Sequence, residues 1–466
     1  MNTDSLLYSP KSAWTKTTEY GREQNIYVEK YRNFLTTCKT ERETIDYVAK
    51  RLAEEGFSTD PTKDCVMMPF RGKALFAARR GTLPLSEGLH LIAAHADSPR
   101  LDLKPRPFFE ENEVLLGKTH YYGGIRKYQW LSRPLALHGV LVKEDGTKLT
   151  VSIGENESDP VFCVADLLPH LAQKQAEQTI KEAFDGEKLA ILVGHALPRD
   201  EEEQKEESAA KQEAKDALKK AVFGILQSYF NVPVTEEDFI SADLELVPAG
   251  AARYVGFDRS MIGGYGQDDR ICVFTALSAL LQSDHLGHTK AVMFWDKEEI
   301  GSDGATGASS RFLEYCIGDL CANWEPTAML SHVLLRTEAL SADVTAAIDP
   351  GYQELHDAHN AARLGYGPCF SKVTGSRGKY GASEADAEFF AEIRESMHKN
   401  DVPWQVAELG KVDLGGGGTV ALFLASLGMQ VIDLGPALLA MHSPFEVSSC
   451  VDIYQTMRAY SAFFAR

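Results

Sequence analysis

The sequence predicts an α/β fold with an open, largely parallel sheet, interrupted by a second, strand-rich domain. Two observations carry the first part. The apolar runs Leu89–Ala94 and Ala291–Trp295 break off abruptly into charged and Gly/Ser-rich residues, as buried parallel strands do. Between such runs lie amphipathic, helix-length stretches with capping residues. The third observation is a change of texture. Residues 101–245 read as short strands around turn signals, so the α/β domain is expected at 1–100 and 246–466, with 101–245 inserted.

Taken in order, residues 17–55 read as helix, with Tyr27, Tyr31, Phe34 and Leu35 among charged positions. Thr40 is a cap for TERETIDYVAKRLAEE, and Gly56 ends that pattern. Strands follow at 64–69 and 74–78, then the run to Ala94, with His95 and Asp97 at its carboxyl end. In the insertion, Asp145-Gly146 between PLALHGVLV and KLTVSIG signals a hairpin. His170 falls in a short helix-like segment, and 188–195 reads as a strand. The charged stretch from 200 is expected to be an exposed arm leading into an amphipathic helix that ends near 230. Beyond 246, Asp268 and Asp269 precede an apolar helix, where carboxylates suit the macrodipole. Residues 326–335 read as helix, Asp343 follows a short apolar run, and SKVTGSRGKYGAS forms a basic loop. Gly415–Gly418 lack GxGxxG spacing and read as a tight turn before a helix, and MQVIDLG leads on to His442.

Composition narrows the function. At 466 residues, 44% hydrophobic and 25% charged, the chain is long enough for two globular domains. A formal net charge of -19 opposes binding to nucleic acid or an anionic membrane. The start, MNTDSLLYSPKSAW, lacks the regions of a signal peptide, and no apolar run reaches membrane-spanning length. Eight cysteines without CxxC spacing suit reduced thiols, so a cytoplasmic protein is expected.

The chemistry lies at the strand ends. An isolated Glu-Glu pair is ordinarily a solvated turn. Here Glu298 and Glu299 follow an apolar strand, and His95, Asp268, Asp343 and His442 hold similar addresses. In a doubly wound sheet such ends converge on one crevice. Two imidazoles and three carboxylates fit a pair of zinc ions with one carboxylate bridging, and Glu298 is left as a general base. Asp97, two residues from His95, can fix that imidazole. There is no GxSxG elbow, HExxH or phosphate loop.

HADSP (95–99), GQDDR (266–270), DKEEIGS (296–302), SADV (341–344), GGT (417–419) and LAMHSPFE (439–446) together resemble the motif set of the aspartyl aminopeptidase family, in its bacterial type. These are dinuclear zinc exopeptidases. The resemblance runs in order from about residue 20 to the end. It implies a three-layer α/β/α sandwich catalytic domain, an inserted dimerisation domain and assembly into a tetrahedral dodecamer. It also implies two zinc ions per subunit, with cobalt or manganese as substitutes. His95 and Asp343 would hold one ion, Glu299 and His442 the other, and Asp268 would bridge them. Glu298 would be the general base, Asp97 would orient His95, and His170 would enter a neighbouring subunit's site. Arg377, Lys379, Gly417 and Thr419 would contact the substrate peptide. Where eukaryotic members carry a His-rich segment this chain reads Val344 to Asp349, and its specificity loop carries Arg377 and Lys379 in SRGKY rather than the pattern tied to strict acidic selectivity, which leaves the preferred first residue open between Asp or Glu and neutral residues. The competing functions are another dinuclear amidohydrolase, such as a deacylase or carboxypeptidase, and a non-catalytic oligomeric shell.

Overall fold

A computed structural model describes residues 7–196, 217–381 and 383–466. The chain forms two compact units, Met1–Ser98 with Ala251–Arg466, and Pro99–Gly250. The first is built on an eight-stranded mixed sheet. Its strands, numbered along the chain, are β1 (Cys65–Phe70), β2 (Ala74–Arg79), β3 (Leu89–His95), β4 (Thr289–Trp295), β5 (Glu338–Ser341), β6 (Cys369–Ser371), β7 (Gln405–Val406) and β8 (Gln430–Gly435). Their order across the sheet is β1-β2-β4-β3-β5-β8-β6-β7. The central four, β4, β3, β5 and β8, run parallel, so their carboxyl ends share one edge.

Both faces of this sheet are apolar, as the unbroken runs require. Successive side chains point to opposite faces, and each face has its own core. Ile92, Ala94, Val292 and Phe294 pack with the helices Thr17–Thr37, Glu41–Glu54, Gln267–Gln282, Ala387–Lys399 and Cys450–Phe464. Leu91, Ala93, Ala291, Met293 and Trp295 pack instead with Phe312–Trp324, Leu330–Arg336 and Ala421–Ser426. The stretch expected as helix over 17–55 is two helices, broken at Cys38–Thr40. Thr40 caps the second through a reciprocal box with Glu43, which satisfies main-chain donors at its first turn. The helix expected at 326–335 spans Leu330–Arg336.

A five-stranded sheet in the same unit orders Arg253–Val255, Met261–Gly264, Glu446–Ser449, Ala437–Leu439 and Thr345–Ala346 side by side. The second unit carries a six-stranded antiparallel sheet that includes the hairpin Leu135–Val142 and Lys148–Ile153, turned at Gly146. Phe108, Phe223 and Phe239 meet edge to face at 5.0–5.7 Å, seating the helix Ala217–Phe230 on that sheet. Much of the charged stretch after residue 200, expected as an arm, lies outside the described residues. Among those described, no helix is long and apolar enough to cross a membrane.

Candidate metal centre

Five segments converge at the carboxyl edge of the parallel strands. His95 is the last residue of β3, in register with Trp295, the last of β4. After Trp295 the chain turns through Lys297, at φ 71°, into the short 3-10 turn Glu298–Ile300. Asp343 lies just beyond β5, where the Ala342 N–H donates to Ala93 O at 2.7 Å. Asp268 sits in the non-helical start of Gln267–Gln282, and His442 in the loop before the strand Glu446–Ser449.

The geometry joins two clusters through one carboxylate. Asp268 Oδ1 is 3.1 Å from His95 Nε2, and its Oδ2 is 3.2 Å from His442 Nε2. On the His95 side, Asp343 Oδ1 and Glu298 Oε2 each lie 3.9 Å from Nε2. On the other, Glu299 Oε2 is 3.4 Å from His442 Nε2. Asp97 is wholly buried behind them. Its Oδ1 accepts the Glu298 N–H and its Oδ2 the Glu299 N–H, both at 3.2 Å. His95 Nδ1 faces only acceptors there, Asp97 O at 3.1 Å and Oδ1 at 3.3 Å. It must therefore carry a hydrogen, which leaves Nε2 facing the cluster; against the effect of its burial, Asp268 and Asp97 hold the ring's pKa well above the ordinary imidazole value.

The electrostatics are those of a centre short of positive charge. Burial pushes the carboxyls of Glu299 and Asp343 well above the ordinary range, and the charges of Asp268 and Asp269, respectively, add to this. Burial raises Glu298 to about 7, partly offset by His95. His442 is drawn up to about 10 against the effect of its own burial, by the Asp268 carboxylate. Glu299 Oε1 is buried without a hydrogen-bond partner. Carboxylates crowded out of water around two imidazoles are costly unless a cation joins them. The donor set, imidazole nitrogen with carboxylate oxygen, suits zinc. Among the described residues, two groups have ligand atoms within 4.8 Å of one another: His95, Asp268 and Glu299, and His95, Asp269 and Asp343.

A cavity of about 390 Å³ opens on the cluster. Asp268, Glu298, Glu299, Asp343 and His442 line it, as do Arg377, Lys379, Gly417 and Thr419, with Val344, Val373, Leu409 and Met441 as apolar wall. Arg377 and Lys379 both adopt positive φ, and Lys379 Nζ pairs with Glu384 at 3.1 Å, which Lys372 also meets. The glycine run reaches this loop directly: Gly416 and Gly417 pair with Ser376 and Gly375. A side chain at Gly416 would meet Gly375 O at 2.2 Å, so the run permits a close approach of two backbones rather than only a tight turn. His170 belongs to the second unit, in the exposed 3-10 turn Pro169–Leu171.

Two residues had no role in this centre assigned from the sequence. Asp269, read there as a helix-dipole partner, is fully buried beside His95 and Asp343. Its signal was the Asp-Asp doublet. Glu446, the last residue of LAMHSPFE, is 1% exposed and accepts from the main chains of both Asp268 and His442.

Residues 34–464 match the family described as Aminopeptidase I zinc metalloprotease (M18). The chain is 45% identical over 474 residues to a probable M18 family aminopeptidase 1 of Clostridium acetobutylicum, covering 99% of both chains. The crystal structure of an M18 aminopeptidase from Thermotoga maritima superposes with a TM-score of 0.90 at 45% identity, over 98% of this chain and 99% of that one. The yeast mApe1 dodecamer structure, at 22% identity and a TM-score of 0.72 over 96% of this chain and 97% of that one, shares the fold.

Proposed function

The chain belongs to the M18 family of zinc metalloproteases and is a metal-dependent aminopeptidase, and from that premise we propose how its residues divide the work. His95 and Asp343 would hold one zinc ion and Glu299 and His442 a second, with the Asp268 carboxylate shared between the two pairs. The observation that carries this reading is the Asp268 carboxylate, with one oxygen 3.1 Å from His95 Nε2 and the other 3.2 Å from His442 Nε2. Zinc, when bound, supplies Lewis acidity that polarises the scissile carbonyl and makes water a nucleophile at neutral pH. Glu298 takes the proton from the attacking water and delivers it to the leaving amine. Asp97 holds the His95 ring and, through two N–H groups, the Glu298–Glu299 turn. The fold around this centre is a three-layer α/β/α sandwich, and Pro99–Gly250 is an inserted dimerisation domain.

The substrate is a peptide with a free N-terminus. Gly417 and Thr419 flank its main chain, and Arg377, which lines the same cavity, meets its first side chain, with Lys379 also in that lining. The decisive assay compares a peptide with its acetylated form, with zinc and after chelation. Release of the first amino acid from the free form alone, lost on chelation, is the expected result. Equal cleavage of the acetylated peptide would favour a deacylase or carboxypeptidase reading. In the same assay Arg377→Ala should lower the ratio of acidic to neutral first residues cleaved, and an unchanged ratio removes Arg377 from the specificity site.

His170 completes the site of a neighbouring subunit, donating a hydrogen bond to the developing oxyanion. Its exposure supports this, as does that of Leu167, Leu168 and Leu171 around it, at 44%, 50% and 67%. The assembly is a dodecamer, as in the yeast relative, and the compartment is the cytoplasm, in keeping with eight free cysteines. His170→Phe should assemble with its zinc and lose about 10²–10³ in turnover. Mixed with Glu298→Gln under subunit exchange, it should regain activity. No recovery despite exchange would confine His170 to its own subunit.

A further inference from the structure

We propose that Glu446 is a positioning residue for the whole metal centre, one carboxylate that sets the main chains of a ligand to each ion. The inference rests on the zinc reading above. Glu446 Oε1 accepts the His442 N–H at 2.7 Å, and Oε2 accepts the Asp268 N–H at 3.2 Å. These residues arrive from different parts of the fold, Asp268 at the start of Gln267–Gln282 and His442 in the loop after Ala437–Leu439. Glu446 is itself well anchored. It lies opposite Gly264 in the antiparallel ladder, and its carbonyl accepts from Gln267 Nε2 at 2.7 Å.

Two features make this more than packing. His442 has φ 64°, a region that residues with a Cβ seldom occupy and that surrounding contacts must hold. The bond from its N–H to Glu446 is such a contact, and it aims the imidazole at Asp268 Oδ2. The second feature is how the carboxyl is shared: its two oxygens each receive an N–H from a different segment of the chain, and a carboxylate can accept at both. Glutamine has one acceptor oxygen and would turn its NH2 toward one of the two N–H groups.

The test is zinc affinity, measured by competition with a chelator on the full-length protein. Glu446→Gln should weaken zinc binding about 10–100-fold, the scale for residues that orient metal ligands from behind. Glu446→Asp keeps the charge but is one methylene too short to reach both N–H groups, and it should lose about tenfold on the same grounds. Should the Gln variant fail to fold, as circular dichroism would reveal, the Asp variant carries the test. Combining Glu446→Gln with His442→Ala should cost much less than the product of the separate losses, because one acts through the other. Wild-type affinity in either Glu446 variant, or strictly multiplicative losses, overturns the proposal. Failure of the wild-type protein to hold zinc would instead overturn the reading of the centre itself.

Discussion

The two ends of the central sheet bury charge in opposite ways. At the amino end, His90, Lys290 and Glu338 stand side by side in register on three parallel strands. Each charge there is answered from within the chain. Lys290 Nζ donates to Asp284 Oδ1 at 2.7 Å and to two carbonyls of the 284–286 loop. Glu338 meets Arg466 at 2.5 Å, and Arg466 also meets Glu392 at 2.7 Å. His90, stacked on His288, is driven to about 3 by burial and by the neighbouring cationic groups, so it is neutral. At the carboxyl end, Asp268 takes both imidazoles, and burial pushes up the carboxyls of Glu298, Glu299 and Asp343 around it. A fold that wanted only stability would treat both ends as it treats the first. The deficit of positive charge at the second marks the place where a cation is part of the working protein.

The sharpest way to break this contrast is within the Glu298-Glu299 pair. Glu298→Gln should keep its zinc and lose about 10²–10⁴ in turnover, the scale of a lost general base. Glu299→Gln should instead weaken zinc retention. Metal analysis paired with kinetics decides it, and a Glu298→Gln protein stripped of zinc beside a fully loaded Glu299→Gln would reverse the two roles.

How far the sequence revealed each end follows from how each is built. The carboxyl end was legible because its side chains sit directly after apolar runs: His95 after Leu89–Ala94, Glu298 and Glu299 after Ala291–Trp295. Thr40 was legible as a cap because the box with Glu43 is local. Glu446 escaped because it acts on the N–H groups of residues distant in sequence, which leaves no periodic or spacing signal. The amino-end network escaped for a similar reason. His90, Lys290 and Glu338 each read as a polar residue at the start of a run, and only the order β4-β3-β5 brings them together. Parallel pairing leaves no trace of which strands are neighbours. The glycine run at 415–418 was readable as a tight turn but not as a close approach to the basic loop.

If the amino end serves only the fold, damage there should cost stability and spare catalysis. Lys290→Met keeps most of the buried stem and removes three hydrogen bonds, leaving the Asp284 and Leu286 carbonyls to find water. Unfolding free energy should fall by about 1–3 kcal/mol, while turnover per zinc-loaded, folded molecule stays at the wild-type value. A loss of turnover in the folded fraction would mean that the two ends communicate and that the contrast is too simple.

The smallest effect is a pH dependence that vanishes at neutrality. The His90 ring is buried, so its folded-state value of about 3 lies below the 6.5 of an exposed imidazole. Between those values the unfolded chain binds a proton that the folded chain refuses. Stability is therefore fully present above about 6.5 and is lost progressively as pH falls toward 3. At pH 5 the loss from this group is about 2 kcal/mol. The surrounding groups, His288, Lys290, Glu338 and Arg466, remain in both proteins when His90→Phe is compared with wild type. Phe would keep the ring contacts with His288 and Phe463, now at 4.5 and 5.0 Å. Urea unfolding from pH 8 to pH 5 should show the variant losing about 2 kcal/mol less than wild type over that range. Curves that fall in parallel would show that His90 takes up its proton in the folded state, and that the amino end, too, leaves a charge unanswered.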